Sequence, residues 1–330
     1  MYKSPWFILV SICILILGGA GVITKIYSKG ESTEKSYTLI EKSFAVSNSN
    51  DVAYIPMGQT KKKILVYDIK DNTKRSEIPY KGDIADMVFS KDGNTLYFAA
   101  NDVISNDKLS SSLYKTNLSS GDTTKITEVP AIVMKIQVDA AEKQILYMRA
   151  NHYIDLKGIT GEVRSSFEAY LLNLSTHAEQ QITHFKDKEI TGLSYNSGET
   201  GALISVDHSI LEIPFNNIEK LNEVFKGDNV IFDLAAIPNT PEIIYTLPGK
   251  AGQGVYKYEL YKVNTLTNTS VKLTNSNHAV SNPILNARNE LYYVVDNHFG
   301  EGNPEYQLYH QKLKTKMKPQ KIELPSININ

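Results

Sequence analysis

The chain has 330 residues, 42% hydrophobic and 22% charged, which is enough apolar matter for a sizeable core and rules out a disordered polymer. Lys and Arg number 35 against 36 Asp and Glu, a net charge of -1, which argues against a protein held to nucleic acid by phosphate contacts. A single cysteine excludes an intrachain disulfide, a cysteine-rich zinc site and a CxxC redox pair, while 20 tyrosines favour strands over helices.

The first predicted element spans a membrane. Residues 5–24, with Trp6 to Leu17 as their most apolar part, carry no charge and no polar face. As a helix they are long enough to cross a hydrocarbon core of about 30 Å. Residues 1–24 are therefore read as an uncleaved signal-anchor, the competing outcome being cleavage at the small residues Gly18-Gly19-Ala20. Cys13 lies mid-run behind the bulky Ile12, a poor context for a lipoprotein cysteine. Lys25, Lys29 and Lys35 follow the run and only Lys3 precedes it, so the positive-inside rule alone points the body to the cytoplasm. A very short N-terminal tail and a long folded body point it outside, and that is the expectation adopted. Residues 25–36, rich in Ser, Lys, Glu and Gly, read as a linker.

Residues 37–330 repeat at a spacing of about 48 residues. The most legible element is an apolar pair ending in Tyr just after a polar turn: Val52-Ala53-Tyr54, Thr95-Leu96-Tyr97, Ile145-Leu146-Tyr147, Ile243-Ile244-Tyr245 and Glu290-Leu291-Tyr292. Gly201-Ala202-Leu203 holds the same place without the Tyr. A strand of the form Leu-Tyr-x-x-Asn follows, as in Leu113 to Asn117 and Leu260 to Asn264, and an apolar residue before Thr closes the unit, as in Ile126-Thr127 and Ile182-Thr183. Period-2 alternation opens it, as in Met87-Val88-Phe89 and Lys135-Ile136-Gln137-Val138. Four short strands recurring six times predict an all-β chain folded as a six-bladed β-propeller, with the five tyrosines at equivalent places on second strands. An ordinary β-sandwich also shows strands at regular spacing, but six in-order recurrences of four elements weigh against it. Asn216 to Lys226, the one helical candidate, also fits an outer strand.

The stretch Phe89-Ser90-Lys91-Asp92-Gly93-Asn94-Thr95-Leu96-Tyr97-Phe98 resembles the core of the WD40-like repeats found in TolB-type six-bladed propellers. Leu113 to Thr127 and Leu260 to Thr274 extend the resemblance, which covers Phe44 to Leu324. The Asp-Gly of the second blade is replaced elsewhere by Asn50-Asp51, Glu142-Lys143, Thr240-Pro241 and Arg288-Asn289. The resemblance implies the propeller fold; those departures sit in the tight turns where Asp and Gly supply local hydrogen bonding and positive φ.

Motifs of chemistry are few. Gly192-Leu193-Ser194-Tyr195-Asn196 lacks the last glycine of a nucleophile elbow and lies in a strand pattern, and no P-loop, G-x-G-x-x-G or H-E-x-x-H occurs. Asn117-Leu118-Ser119, Asn173-Leu174-Ser175 and Asn268-Thr269-Ser270 fit the glycosylation sequon and equally fit Asn-Ser turns. His177 and His184 face opposite sides of one strand, a poor geometry for co-ligands, so no metal and no cofactor is expected.

Loop lengths say more. The b–c loops are expected to be long in blade two (101–112), blade three (150–168), blade five (247–258) and blade six (296–307), all on one face. Asn151, His152, Tyr153, Asp155, Tyr256, Asp296, His298, Phe299 and Glu301 are the binding-face candidates there, because they combine reach, polarity and aromatic area. The function expected is that of a membrane-anchored extracytoplasmic binding or scaffold module for a protein or cell-envelope ligand. The alternatives are a lyase- or cyclase-type propeller enzyme with carboxylates and a His or Lys in the channel, and a soluble TolB-like export partner if the N-terminal run is cleaved.

Overall fold

The computed structural model describes residues 39–59, 62–104, 108–155, 162–185, 188–249, 257–301, 304–313 and 318–325, with only the backbone followed in the strand ends of 102–109 and 151–166. The apolar run of residues 5–24 and the linker lie outside these residues. Among the described residues no helix is long and apolar enough to cross a membrane.

Among the described residues twenty-four strands form six consecutive four-stranded units. The first is β1 (Ile40–Val46), β2 (Asp51–Pro56), β3 (Lys63–Asp68) and β4 (Thr73–Pro79). The second is β5 (Asp83–Phe89), β6 (Thr95–Ile104), β7 (Lys108–Asn117) and β8 (Thr123–Val129). The third is β9 (Val133–Val138), β10 (Gln144–Asp155), β11 (Glu162–Asn173) and β12 (Glu179–Gln181). The fourth is β13 (Ile190–Tyr195), β14 (Gly201–Val206), β15 (Ser209–Pro214) and β16 (Asn222–Lys226), the last in place of the helical candidate. The fifth is β17 (Phe232–Ala236), β18 (Glu242–Pro248), β19 (Tyr258–Asn264) and β20 (Thr269–Lys272). The sixth is β21 (Ala279–Leu285), β22 (Glu290–Asp296), β23 (Tyr306–Lys312) and β24 (Gln320–Lys321).

Within each unit successive strands pair antiparallel, and the first strands pack in a closed circle: β1 on β5, β5 on β9, β9 on β13, β13 on β17, β17 on β21 and β21 on β1. That is a six-bladed β-propeller. Among the described residues each blade is one contiguous segment, and no strand is exchanged to close the ring. Closure rests instead on Ile40, Phe44, Tyr54, Tyr292 and Val294 packed between the first and last blades. Asn48 adds a hydrogen bond across the same seam, its Oδ1 accepting from Ala287 N at 2.7 Å.

Six apolar clusters fill the six gaps between neighbouring blades. Middle strands are therefore covered on both faces, which is why all six residues of β2 and of β14 are buried. The tyrosines correct the sequence reading. They share the second strands but not one position, since they are offset by one residue in alternate blades, and one residue flips a side chain to the other face. Tyr54, Tyr147 and Tyr245 face the preceding blade, while Tyr97 and Tyr292, like Leu203, face the following one. These five tyrosines thus gather at three alternate seams, blades six–one, two–three and four–five.

Turn chemistry explains how the repeat tolerates loss of Asp-Gly. Every a–b turn holds one residue with positive φ: Asn50, Gly93, Glu142, Glu199, Asn239 and Asn289. In five of these turns the opening side chain (Ser47, Ser90, Asp139, Asn196 or Asn286) accepts a backbone N–H from the far side of the turn. The Asn that ends the third strand has an equally local task. Asn117, Asn173 and Asn264 each accept two backbone N–H groups from the turn that follows, and Asp68 does the same in blade one.

Candidate binding site at the central channel

The six inner strands line the channel, and each carries a bulge opposite its second strand. A bulge bends the strand and re-aims a side chain, and here it sets polar residues at the waist of the channel. Asp233 and Asn282 lie in left-handed backbone at their bulges, with φ of 34° and 55°. Asp86, Lys135, Asp233 and Asn282 converge from blades two, three, five and six.

Their bonds run between blades. Asp86 Oδ2 accepts Ile136 N at 3.0 Å and stands 3.5 Å from Lys135 Nζ. Lys135 Nζ donates to Asn282 Oδ1 at 2.7 Å, and Asn282 Nδ2 donates to Lys42 O at 3.3 Å. Asp233 Oδ2 accepts Asn282 N at 3.0 Å. Burial pushes the Asp86 carboxyl up, and the ammonium of Lys135 opposes that shift. A chain of polar contacts therefore crosses the channel and divides it into two chambers, both of which reach Asp86 and Lys135.

The chamber on the a–b side, about 550 Å³, is framed by turn residues such as Ser47, Lys91, Glu199 and Asn286. That on the b–c side, about 430 Å³, is lined by Glu41, Ser43, Phe232, Asp233, Tyr258 and Phe299 among others. Its aromatic wall is continuous. Tyr258 meets Phe232 edge-on at 5.7 Å between ring centroids, and Phe299 meets Tyr258 likewise at 5.5 Å.

The nine residues singled out from sequence fall into three groups. Asn151, His152, Tyr153 and Asp155 lie on β10, in a ladder with β11 that sets His152 opposite Ser165 and Asp155 opposite Glu162. This corrects the expectation of a long loop in blade three, and in blade two Asn101 to Ile104 likewise pair with β7. Backbone pairing, with Ile154 opposite Val163, continues the ladder as a two-stranded ribbon, whose polar positions read as loop in the sequence. Tyr256 lies outside the described residues. Asp296, His298, Phe299 and Glu301 share one turn at the rim of the b–c chamber. Asp296 is buried, its Oδ1 accepting His298 N at 2.9 Å and Glu305 N at 3.0 Å, which makes it the residue that shapes the turn. His298 Nδ1 stands 3.6 Å from Glu305 Oε1, Glu301 N donates to His298 O, and Phe299 is 41% exposed.

Sequence reasoning missed Glu41, Asp86, Lys135, Asp233 and Asn282. A signal existed: Asp86 interrupts Ile84-Ala85 and Met87, Lys135 interrupts Val133-Met134 and Ile136, and Asp233 separates Phe232 from Leu234. A charge inside an otherwise apolar strand needs a partner. Ser194, in the failed nucleophile elbow, is buried and bonded to Tyr195 O at 2.9 Å. Among the described residues no group of three His, Cys, Asp or Glu side chains is placed to hold a metal ion.

No family model and no curated protein matches this chain. Solved propellers do. TolB from Acinetobacter baumannii superposes with a TM-score of 0.54 at 16% identity, over 72% of this chain and 55% of TolB. In fold, the chain is a TolB-like, WD40-like β-propeller. It spans little more than half of TolB's length, so the likeness is one of architecture. An oligogalacturonate lyase solved with manganese gives 0.56 at 11% identity, over 82% of this chain and 77% of the lyase. The propeller domain of the trilobed protease from Pyrococcus furiosus, described as having an open velcro topology, gives 0.53 at 13% over 88% and 86%.

Proposed function

We propose that this TolB-like propeller is a membrane-anchored, extracytoplasmic binding or scaffold module that takes a protein or cell-envelope ligand on its b–c face. The observation that carries the reading is the aromatic row Phe232–Tyr258–Phe299, which leads from an exposed ring at the rim into a chamber barred below by Lys135 and Asn282. Aromatic side chains on a rigid frame anchor partners at little entropic cost. The anchor itself rests on the uncharged apolar run of residues 5–24.

A propeller enzyme of lyase or cyclase type is the second reading, favoured by the convergence of Asp86, Lys135 and Asp233 at the waist. Those groups are engaged in holding neighbouring blades, and the binding reading takes precedence for that reason.

The test is a photo-crosslinking amino acid placed at position 299 on the b–c face or at 239 on the a–b face of the full chain in its native membranes. A discrete adduct from 299 alone is the expected result. Adducts from 239 alone, or from neither position, would overturn the assignment of the face. Recovery of the full-length chain in a washed soluble fraction would remove the anchor.

A further inference from the structure

We infer that the b–c chamber accepts a basic side chain, the guanidinium of an arginine or the ammonium of a lysine, presented by a polypeptide segment. This inference rests on the reading of the b–c face as the partner surface and adds the chemistry of what enters it.

The charge of the lining points to a cation. Glu41, Asp86, Asp233 and Asp296 line the chamber against Lys42 and Lys135, so carboxylates outnumber ammonium groups by two. Asp86 and Lys135 answer each other. Glu41 is different: among the described residues no hydrogen bond reaches its carboxylate, and burial raises its affinity for a proton, with Lys62 only partly opposing. A half-buried carboxylate in that condition gains from an added positive charge.

Two further features concern the same space. Ser43 is a buried residue of the chamber lining, 6% exposed, and among the described residues its Oγ has no hydrogen-bond partner. A buried hydroxyl left unmatched is an acceptor waiting for a donor. The aromatic row supplies negative ring faces, which attract ammonium and guanidinium groups more strongly when water is excluded. A chamber of about 430 Å³ admits a basic side chain together with its flanking backbone. Neutral sugars also stack on aromatic rings, but they make no use of the surplus negative charge, and an anionic ligand would be repelled by it.

The experiment is calorimetric titration of the full chain in detergent micelles with three blocked tripeptides, Ala-Arg-Ala, Ala-citrulline-Ala and Ala-Glu-Ala. Citrulline keeps the shape of arginine and removes its charge. The arginine peptide should bind at least about tenfold more tightly than the citrulline peptide, with the glutamate peptide weaker still. Glu41→Gln and Phe299→Ala should each weaken the arginine peptide by about five- to tenfold while moving the melting temperature by no more than about 4 °C. Equal binding of citrulline and arginine peptides, tighter binding of the glutamate peptide, no binding of the arginine peptide, or indifference to both substitutions would each overturn the inference. A crosslinked partner at position 299 combined with no binding of the arginine peptide would leave the binding-module reading standing and remove only this one. Arginine-peptide binding with no crosslink would do the reverse.

Discussion

Lys135 in the third blade hydrogen-bonds Asn282 in the sixth, at 2.7 Å, across the full width of the channel. In a ring of six these blades are opposite each other, so the contact braces the propeller along a diameter. Lys135 also stands beside Asp86 of the second blade. One ammonium group thus links three blades that share no sheet.

Removing that group should loosen the ring. Lys135→Met leaves Asp86 buried without its cation and should cost about 3 kcal/mol in urea unfolding, by the usual penalty for breaking a buried pair. Adding Asp86→Asn should recover a large part of the loss. The sign of the pH dependence follows from Asp86, whose folded proton affinity is raised by burial. Between its unfolded and folded pKa values the folded state binds more protons, so this group's contribution to stability falls as pH rises through that window. Loss of Lys135 moves the upper edge of the window higher. The deficit of Lys135→Met should therefore be largest near neutral pH and shrink on acidification.

Tyr147 is fully buried, its ring stacked on Tyr170 at 5.5 Å and its hydroxyl donating to Glu179. Tyr147→Ala should cost about 3–5 kcal/mol, the range for deleting a buried aromatic. Tyr147→Phe keeps the packing and should cost about 1 kcal/mol for the lost hydrogen bond. Phe299→Ala, at an exposed rim, should stay within about 1 kcal/mol of the parent. Thermal and urea unfolding of the three variants checks the order.

Gly192, on the inner strand of the fourth blade, lies against the inner strand of the fifth. A Cβ there would lie 2.7 Å from Ser205 Oγ and 3.0 Å from Asp233 N in the next blade. Backbone cannot give way as a side chain does, so Gly192→Ala should destabilise by about 2–3 kcal/mol, as overpacking does. At Gly93, with φ of 74°, the added Cβ meets the side chains of Ser47 and Ser49 at 3.3 and 3.2 Å. Gly93→Ala should cost about 1–2 kcal/mol through backbone strain. Equal effects at the two sites would contradict this account of blade packing.

Alkaline titration reports on the seams. Burial raises the phenol pKa of Tyr54, Tyr97, Tyr147 and Tyr245, and pushes that of Tyr292 up to about 12. An unfolded tyrosine ionises near about 10. Above that pH the folded state holds protons that the unfolded state releases, so stability falls as pH rises. Phenolate absorbance should appear in two phases, exposed tyrosines first and the second-strand set together with loss of the fold.

Much of this propeller is legible in one dimension because a blade is built locally. Strand pairing joins neighbours in the chain, turn residues such as Asn117 and Gly93 satisfy groups within a few positions, and apolar alternation marks the middle strands. The ribbons at His152 and at Asn101 were less legible, since their polar residues are of the types that also mark loops.

What the sequence determined by itself is the repeat: four strands per unit, six units, and the turn positions between them, all set by interactions of short range. What only the tertiary structure decided is the channel. Asp86, Lys135, Asp233 and Asn282 are far apart in the chain, and nothing in their local sequence names their partners. They meet because six bulged inner strands close into a circle, and closure is a property of all six blades packed together. The face to which each tyrosine turns was settled the same way, by a one-residue offset whose meaning exists only when a neighbouring blade stands on either side.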